Sequence, residues 1–150
     1  MEERARWARR IATWFGCGNA PVAPGTVGAL GAIPLHVVLG VLSPGTRLVT
    51  IAALTALGTW SADRLARELG EEDPQSIVID EVVGTLLALH FARGLGGKVL
   101  AFAAFRALDV IKPWIIDDVQ RLKPPGVGIM ADDVLAGLAA GLLARFVRRD

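Results

Sequence analysis

The sequence predicts an all-α protein, a single compact bundle of about six to seven helices forming one domain over residues 1–150. Apolar residues recur at helical spacing nearly throughout, and no stretch alternates apolar and polar residues as a half-buried strand does. A chain of 150 residues has the length of one domain. Hydrophobic residues make up 53% of the chain and charged residues 21%, so the apolar surface to be covered is unusually large.

The first half of the chain is predicted to form three helices separated by turns rich in glycine and proline. The first helix covers residues 3–15 and is amphipathic. The loop GCGNAPVAPGT separates it from a second helix over residues 26–42, in which Pro34 predicts a kink. The turn SPGT at residues 43–46 then caps a third helix that ends at Leu69.

The second half begins with the acidic loop GEEDPQS and is predicted to contain at least three helices. Ser76 is expected to cap a fourth helix that ends near Ala92. A fifth helix follows the break GLGG and ends at Ile111, just before a proline. A short helix near residues 115–122, the loop KPPGVG and a final helix over residues 131–148 complete the chain.

Composition excludes several classes of function. The formal net charge is only +1, so nucleic acid is not expected as a partner. The single cysteine, Cys17, excludes an internal disulfide and a cysteine-based zinc site. His36 and His90 stand alone, which favours structural roles. No secretory signal is recognisable, so we expect a protein in the cytoplasmic membrane, or a cytoplasmic one associated with it.

The apolar stretches leave two uses of the surface open. A transmembrane helix needs about 20 apolar residues. Residues 11–46 carry no Asp, Glu, Lys or Arg, but turns interrupt them, and the uncharged helical segments 27–42 and 48–62 are shorter than this length. One alternative is contact with a membrane surface or insertion into the bilayer. The other is a helical bundle with a large apolar core or an interface between copies in a homo-oligomer.

Ionised side chains stand inside several apolar stretches, where burial of an unpaired charge would be strongly unfavourable. Acidic pairs in a first helical turn also suit helix capping, and charges spaced by three can form a simple ion-pair ladder on an exposed face. Five carboxylates accompanied by one arginine and one lysine favour a metal and phosphate site instead. These residues are Asp80, Glu81, Arg106, Asp109, Lys112, Asp132 and Asp133.

The residue types indicate the chemistry. Carboxylates without histidine or cysteine ligands suit Mg²⁺, Mn²⁺ or Ca²⁺, and Mg²⁺ is the cofactor we expect. Arg106 and Lys112 are expected to bind the phosphate, and Gly25 and Thr26 to present backbone N–H groups and a hydroxyl to it at a helix start. A water molecule activated by the metal is the expected nucleophile. The expected metal ligands are Asp80, Glu81, Asp109, Asp132 and Asp133, of which all but Asp132 are also expected to be catalytic.

Four segments resemble the phosphatidylglycerophosphatase A family: GCGNAPVAPGTVGAL (16–30), SIVIDEVVG (76–84), FRALDVIKPW (105–114) and GVGIMADDVLAG (126–137). The resemblance implies a Mg²⁺-dependent lipid phosphatase that hydrolyses phosphatidylglycerophosphate to phosphatidylglycerol and phosphate at the bacterial cytoplasmic membrane. It also implies that the seven ionised residues occupy the family's motif positions. One departure is Ile115, which follows Trp114 where the family commonly has a proline.

Two other functions remain open at this point. A Mg²⁺-dependent phosphatase or pyrophosphohydrolase acting on a soluble phosphate ester would use the same kind of site. The all-α pyrophosphohydrolases, however, are expected to carry Glu-x-x-Glu and Glu-x-x-Asp motifs on paired helices, a pattern not found here. A non-enzymatic, membrane-associated helical protein would use its acidic pairs only as caps, and a structure with the three acidic segments far apart would favour it.

Overall fold

The computed structural model describes residues 2–147, which form seven α-helices and one short 3-10 helix. No β-strand occurs in this range, so the predicted all-α class and helix number are confirmed. The helices are α1 (Glu2–Ala12), α2 (Pro24–Leu39), α3 (Pro44–Leu69), α4 (Ile79–Phe91), α5 (Gly94–Ile111), α6 (Trp114–Val119) and α7 (Pro125–Val147), with the 3-10 turn at Cys17–Asn19.

Helix α4 is the centre of the bundle. Every residue from Val82 to Leu89 is buried, and the helix packs against α2, α3, α5 and α7. A helix that is apolar on all sides needs neighbours on all sides, and the four surrounding helices provide them. Asp80 and Glu81, in its first turn, are therefore held at one end of a rigid core.

Helices α2, α4 and α7 run in the same direction, and α3 and α5 run back between them. Gly28 of α2 contacts Val78, which precedes α4, and Gly141 of α7 contacts the C-terminal part of α4 at Ala88. Phe105, near the end of α5, contacts Gly84 near the start of α4. The first turns of α2, α4 and α7 thus share one region of the bundle with the last turns of α3 and α5.

The backbones of α4 and α7 meet where Gly84 contacts Gly137. A Cβ atom added to Gly137 would overlap the Gly84 carbonyl oxygen and lie 2.9 Å from the Gly84 Cα atom. A Cβ atom on Gly84 would likewise lie 2.9 Å from the backbone oxygen of Asp133. Only glycine permits this approach, and it brings the start of α4 beside the acidic pair of α7.

Replacing Gly137 with alanine should destabilise the fold and misalign the two acidic helices. The atoms that the new methyl group would meet are backbone atoms, which cannot move aside as a flexible side chain can. We expect a loss of about 1–3 kcal/mol in the free energy of unfolding, as in other overpacked cores, measured by denaturant titration. Gly97→Ala in α5 is the matched control, because its added Cβ would meet no atom of another helix within 4 Å. Equal stability of the two variants would contradict the proposed close contact.

The predicted end of α1 and the predicted cap of α4 are wrong. Helix α1 ends at Ala12 rather than at residue 15, because Trp14 and Phe15 take the left-handed backbone conformation with φ of 45° and 54°. Ser76 does not cap α4. That helix starts at Ile79 without a side-chain cap, and the preceding N–H group, on Val78, donates to the Ala12 carbonyl oxygen at 2.9 Å.

The final helix also differs from its prediction at its start. It begins at Pro125 rather than at residue 131, so most of the expected KPPGVG loop is helical. Gly126 and Gly128 lie against the backbone oxygens of Thr59 and Gln120, where an added Cβ would overlap, so these glycines serve packing rather than a loop. The predicted end at residue 148 lies outside the described residues.

The remaining boundaries shift by a few residues. Helix α2 starts and ends earlier than predicted and continues through Pro34. Ser43 caps α3 as expected, since its hydroxyl accepts the Thr46 N–H at 3.2 Å. Helix α6 spans six residues and ends three residues before its predicted end, Leu122.

Exposed apolar side chains on the outer faces of the helices form a surface called the apolar belt below. Its members lie on four helices, among them Leu30, Val37, Val49, Leu57, Val99 and Leu143. Within residues 2–147, α7 is the one helix long and apolar enough to cross a membrane, and 56% of its most apolar stretch is buried inside the bundle. Such a helix also occurs in the core of soluble proteins, so its length and composition are weak evidence of insertion.

Candidate metal and phosphate site

The side chains predicted to form a site converge at one end of the bundle, called the acidic end below. Helix α4 contributes Asp80 and Glu81 from its first turn, and α7 contributes Asp132 and Asp133. Arg106, Asp109 and Lys112, at the end of α5, and Gly25 and Thr26, at the start of α2, complete the group. The three acidic segments therefore lie together, which removes the arrangement that would have favoured a non-enzymatic protein.

The carboxylate oxygens form two groups that share Asp133. Asp80, Asp132 and Asp133 make up the first group. Glu81, Asp109 and Asp133 make up the second. Within each group, one oxygen from every residue lies within 4.8 Å of the others. Two adjacent sets of carboxylate oxygens, without nitrogen or sulfur, suit hard divalent cations.

Three of these carboxylates have an oxygen that is buried and without a hydrogen-bond partner in the described residues: Asp80 Oδ1, Glu81 Oε2 and Asp133 Oδ2. The Asp133 side chain is nearly inaccessible, with 2% of the residue exposed. A buried polar atom without a partner costs about 1–3 kcal/mol, and more when the group is charged. The cluster therefore fits a bound metal ion, which would give these oxygens their missing partner.

Burial makes these carboxyl groups hard to ionise. Burial raises the pKa of Asp80 well above its ordinary value, and the charges of Glu81 and Asp133 raise it further. Burial also raises the pKa of Asp133 strongly, with further contributions from Asp109 and Glu81. The pKa of Glu81 is raised by burial, with partial compensation from its hydrogen bond to Asp80 and from Arg106. Metal-free protein thus holds several carboxylates under mutual repulsion.

The raised pKa values predict how pH affects the metal-free protein. The folded state keeps protons on Asp80, Glu81 and Asp133 that the unfolded chain releases, so the free energy of unfolding should fall as pH rises from the ordinary carboxyl range through the raised pKa values. We expect the thermal midpoint measured in EDTA to decrease across that window. Added divalent cation should raise the midpoint most at the high-pH end, where it competes with fewer protons. A metal-free midpoint that increases across the window would contradict the assignment.

Arg106 lies between the second carboxylate group and the start of α2. Its Nη1 atom donates to Asp109 Oδ2, and its Nη2 atom donates to the Thr26 hydroxyl at 3.4 Å. A Cβ atom on Gly25 would overlap Glu81 Oε1 and lie 3.4 Å from Arg106 Nη2. The start of α2 therefore packs directly onto the site. The Arg106 and Asp109 side chains are 19% and 12% exposed, so this pair is not the solvated ion-pair ladder that the spacing also allowed.

Lys112 pairs with a carboxylate that sequence spacing did not indicate. It ends α5 in the left-handed conformation, with φ of 45°, and its Nζ atom donates to Asp132 Oδ2 at 2.7 Å. Burial lowers the pKa of Lys112, but the carboxylates of Asp132, Asp73 and Asp109 together raise it, and the net shift is upward. The other oxygen of Asp132 accepts the Asp133 N–H at 2.9 Å. Both Asp132 oxygens thus have partners, unlike those of Asp80 and Asp133.

A family model for phosphatidylglycerophosphatase A matches residues 10–148. The match includes both carboxylate groups, Arg106, Lys112 and the start of α2. The chain belongs to the phosphatidylglycerophosphatase A family.

Curated relatives agree with this family membership. The chain is 36% identical to phosphatidylglycerophosphatase A of Escherichia coli, over 89% of this chain and 79% of the relative. It is also 36% identical to phosphatidylglycerophosphatase A of Haemophilus influenzae, over 87% of this chain and 82% of the relative. A Bacteroides thetaiotaomicron protein described as a candidate phosphatidylinositol-3-phosphatase is 41% identical, over 92% of this chain and 91% of the relative. No solved structure matches the chain significantly.

Two cavities open on this family member's acidic end, and both are bordered by Asp73 and Asp80. The first, of about 380 Å³, is lined by Gly25, Arg106 and Lys112 among others. The second, of about 400 Å³, is lined in part by the segment between α6 and α7, residues 120–123. A phosphate group and the rest of a substrate headgroup could therefore occupy neighbouring spaces.

Sequence analysis missed two side chains of this region. Gln120 lines the second cavity and accepts a hydrogen bond from Lys112 Nζ at 3.1 Å. Asp73 borders both cavities, although its segment reads as an ordinary acidic surface loop. Neither residue carries a local sequence signal, because only the packing of α6 and of the loop before α4 brings them to the site.

Proposed function

We propose that this protein is a Mg²⁺-dependent lipid phosphatase that hydrolyses phosphatidylglycerophosphate to phosphatidylglycerol and phosphate, and that residues 1–150 act as one domain. The observation that carries the proposal is the pair of carboxylate groups, with three unpartnered buried oxygens, directly beside the Arg106 guanidinium. Family membership and the names of the E. coli and H. influenzae relatives support the choice of lipid.

In this proposal the two carboxylate groups hold the metal. Asp80, Glu81, Asp109 and Asp133 are the main ligands, with Asp133 common to both groups. Asp132 belongs to the first group, but its hydrogen bonds to Lys112 and to the Asp133 N–H reduce its capacity as a ligand. When bound, Mg²⁺ neutralises phosphate oxygens and makes a water molecule more acidic.

The chain's own residues orient and stabilise the phosphate. Arg106 presents a guanidinium from the wall of the first cavity, and the Thr26 hydroxyl lies beside it. Lys112 adds a second positive charge on the same cavity. Fixed cations in a partly buried site stabilise the negative charge that develops as the phosphorus–oxygen bond breaks. The nucleophile in this proposal is a water molecule, which attacks the phosphorus, and no side chain forms a covalent intermediate.

The proton of the attacking water needs an acceptor. Asp80 and Asp133 are suitable acceptors, because a carboxylate that gives one oxygen to the metal keeps a second oxygen that can take a proton. We propose that one of them accepts the proton, and that the alcohol of the lipid headgroup leaves with a proton from solvent. The products are then a phosphate ion and the dephosphorylated lipid.

A second candidate substrate is a phosphoinositide. The relative described as a candidate phosphatidylinositol-3-phosphatase is 41% identical to the chain. Phosphatidylglycerophosphate and a phosphoinositide both carry a phosphate monoester on a polyol headgroup, so the same carboxylates and Arg106 would serve either. The second cavity, which includes Gln120 and Lys123, is where the two headgroups would differ in their contacts.

We further propose that the protein is associated with the bacterial cytoplasmic membrane through its apolar belt. The belt exposes large aliphatic side chains, such as Val37 at 67% and Val49 at 70%, that a lipid environment would cover. Contact between copies through the same belt remains a prediction, and chemical cross-linking in vesicles would detect it.

Phosphate release from a panel of substrates tests the function. The panel contains phosphatidylglycerophosphate, phosphatidylinositol 3-phosphate and soluble glycerol 3-phosphate, each with Mg²⁺ or with EDTA. We expect the highest kcat/KM for phosphatidylglycerophosphate and no release in EDTA. Preference for the inositol lipid would support the second candidate. Preference for the soluble ester would contradict a lipid phosphatase, and absence of release from all three would favour a non-enzymatic protein.

A further inference from the structure

The end of the bundle opposite the acidic end carries basic side chains and no carboxylate among the described residues. The chain has no Asp or Glu at residues 4–62, 82–108 or 134–147. Helices α2, α4 and α7 end in this region, and α3 and α5 begin there. This region is called the basic end below. Its ionisable side chains are Arg47, Arg93, Lys98 and Arg145, together with His36 and His90.

Distance keeps the basic end separate from the carboxylates. Helix α4 has 13 residues and is therefore about 20 Å long, with the acidic pair in its first turn and His90 in its last. Within residues 2–147, none of the four arginine and lysine side chains of the basic end forms an ion pair. Their positive charge is therefore available to an external anion.

Part of the basic end is held in place by the fold. Arg47 donates from Nε to the Leu42 carbonyl oxygen at 3.0 Å and from Nη2 to the Gly40 carbonyl oxygen at 2.8 Å. These bonds fix the guanidinium at the turn between α2 and α3 without neutralising it. His90 adds a buried Nδ1 atom that has no hydrogen-bond partner in the described residues.

Apolar side chains surround these charges. Val41, in the turn after α2, is 88% exposed, and Leu95, in the first turn of α5, is 81% exposed. Arginine and lysine beside exposed aliphatic side chains are typical of surfaces at a membrane interface, where the charges reach the headgroups and the aliphatic groups contact acyl chains. A nucleic acid or another soluble polyanion would leave Val41 and Leu95 in water.

We propose that the basic end binds the headgroups of anionic phospholipids, as a site separate from the proposed phosphatase site. With the apolar belt in contact with lipid tails, the long basic side chains extend toward a headgroup layer while the acidic end opens at the other end of the bundle. The inference rests on the proposed contact of the apolar belt with lipid. It does not depend on the proposed phosphatase reaction, because the lipid bound here is not the lipid that is hydrolysed.

Vesicle co-flotation of the full chain tests the proposal, with and without equal parts phosphatidylserine in phosphatidylcholine. Phosphatidylserine is neither substrate nor product of the proposed reaction. The test variant is Arg93→Gln/Lys98→Gln/Arg145→Gln, which leaves the fold-supporting Arg47 in place. Each basic side chain near an anionic surface contributes about fivefold to binding, so we expect the preference for phosphatidylserine vesicles to fall about 100-fold.

The matched control removes three positive charges elsewhere, in Arg4→Gln/Arg6→Gln/Arg10→Gln on α1. We expect it to keep most of the preference for phosphatidylserine, and both variants to bind pure phosphatidylcholine as the parent protein does. An equal loss in both variants would show that only net charge matters and would overturn the proposal. An unchanged preference in the basic-end variant would overturn it as well. Phosphate release in detergent, measured in parallel, reports separately on the proposed function.

Discussion

Replacing Asp133 with asparagine should reduce Mg²⁺-dependent phosphate release by about 1000-fold, the upper end of the range seen when a key electrostatic group is removed from an active site. Asp133 belongs to both carboxylate groups, so its loss affects every metal position that the cluster can form. Asparagine keeps the size of the side chain and removes its charge. Initial rates with saturating Mg²⁺ would measure the effect.

The stability of the same variant separates a metal role from a folding defect. Burial, and then the charges of the neighbouring carboxylates, raise the pKa of Asp133, so removing its charge should leave the metal-free protein at least as stable as the parent. The increase in thermal midpoint on adding Mg²⁺ should largely disappear. Asp118→Asn, on the exposed face of α6, is the matched control and should behave as the parent. An Asp133→Asn variant with normal activity would show that the cluster is not the metal site.

Replacing Arg106 with glutamine should lower kcat/KM by about 100- to 1000-fold. The guanidinium lines the first cavity and contacts both Asp109 and Thr26, so its loss removes a phosphate-binding charge and leaves Asp109 without its cation. Lysine at this position should recover only part of the activity, because a single ammonium group cannot reproduce the planar guanidinium. Inhibition by inorganic phosphate should weaken in parallel.

Arg121→Gln provides the comparison for this prediction. Arg121 borders the second cavity, but its side chain is 73% exposed and pairs with Asp117, and exposed pairs contribute little. We expect less than a tenfold effect on phosphate release. A similar loss in both variants would indicate that general charge near the opening, rather than the fixed position of Arg106, governs the reaction.

Asp132 and Lys112 show where a prediction from residue type was incomplete. Spacing by three along α5 suggested that Lys112 would flank Asp109, and residue type suggested that Asp132 would bind metal. In the structure α5 has already ended at Lys112, whose side chain turns toward α7 and pairs with Asp132. Helical spacing predicts neighbours only while the helix continues, so a terminal residue can find a partner that no spacing rule identifies.

The glycines are a second case in which the sequence did not predict a contact between helices. Gly84 and Gly137 were visible in the sequence, but the sequence did not show that they contact each other. Gly126 and Gly128 resembled a loop, although they are helical and allow backbone atoms of α3 and of the segment after α6 to approach. Glycine is compatible with both a turn and a tight helix contact, and only the neighbouring helix decides between them.

The sequence by itself determined the all-α class, the approximate helix order and the identity of the ionised residues, because helical periodicity and charges in apolar stretches are local properties of a chain. It also carried the motifs of the family. The tertiary structure alone decided that Asp133 is common to two carboxylate groups, that Lys112 pairs with Asp132, and that the carboxylates and the basic end lie at opposite ends of the bundle. These features depend on which helices run parallel and where their backbones touch, and contacts between residues far apart in the chain leave no periodic signal in the sequence.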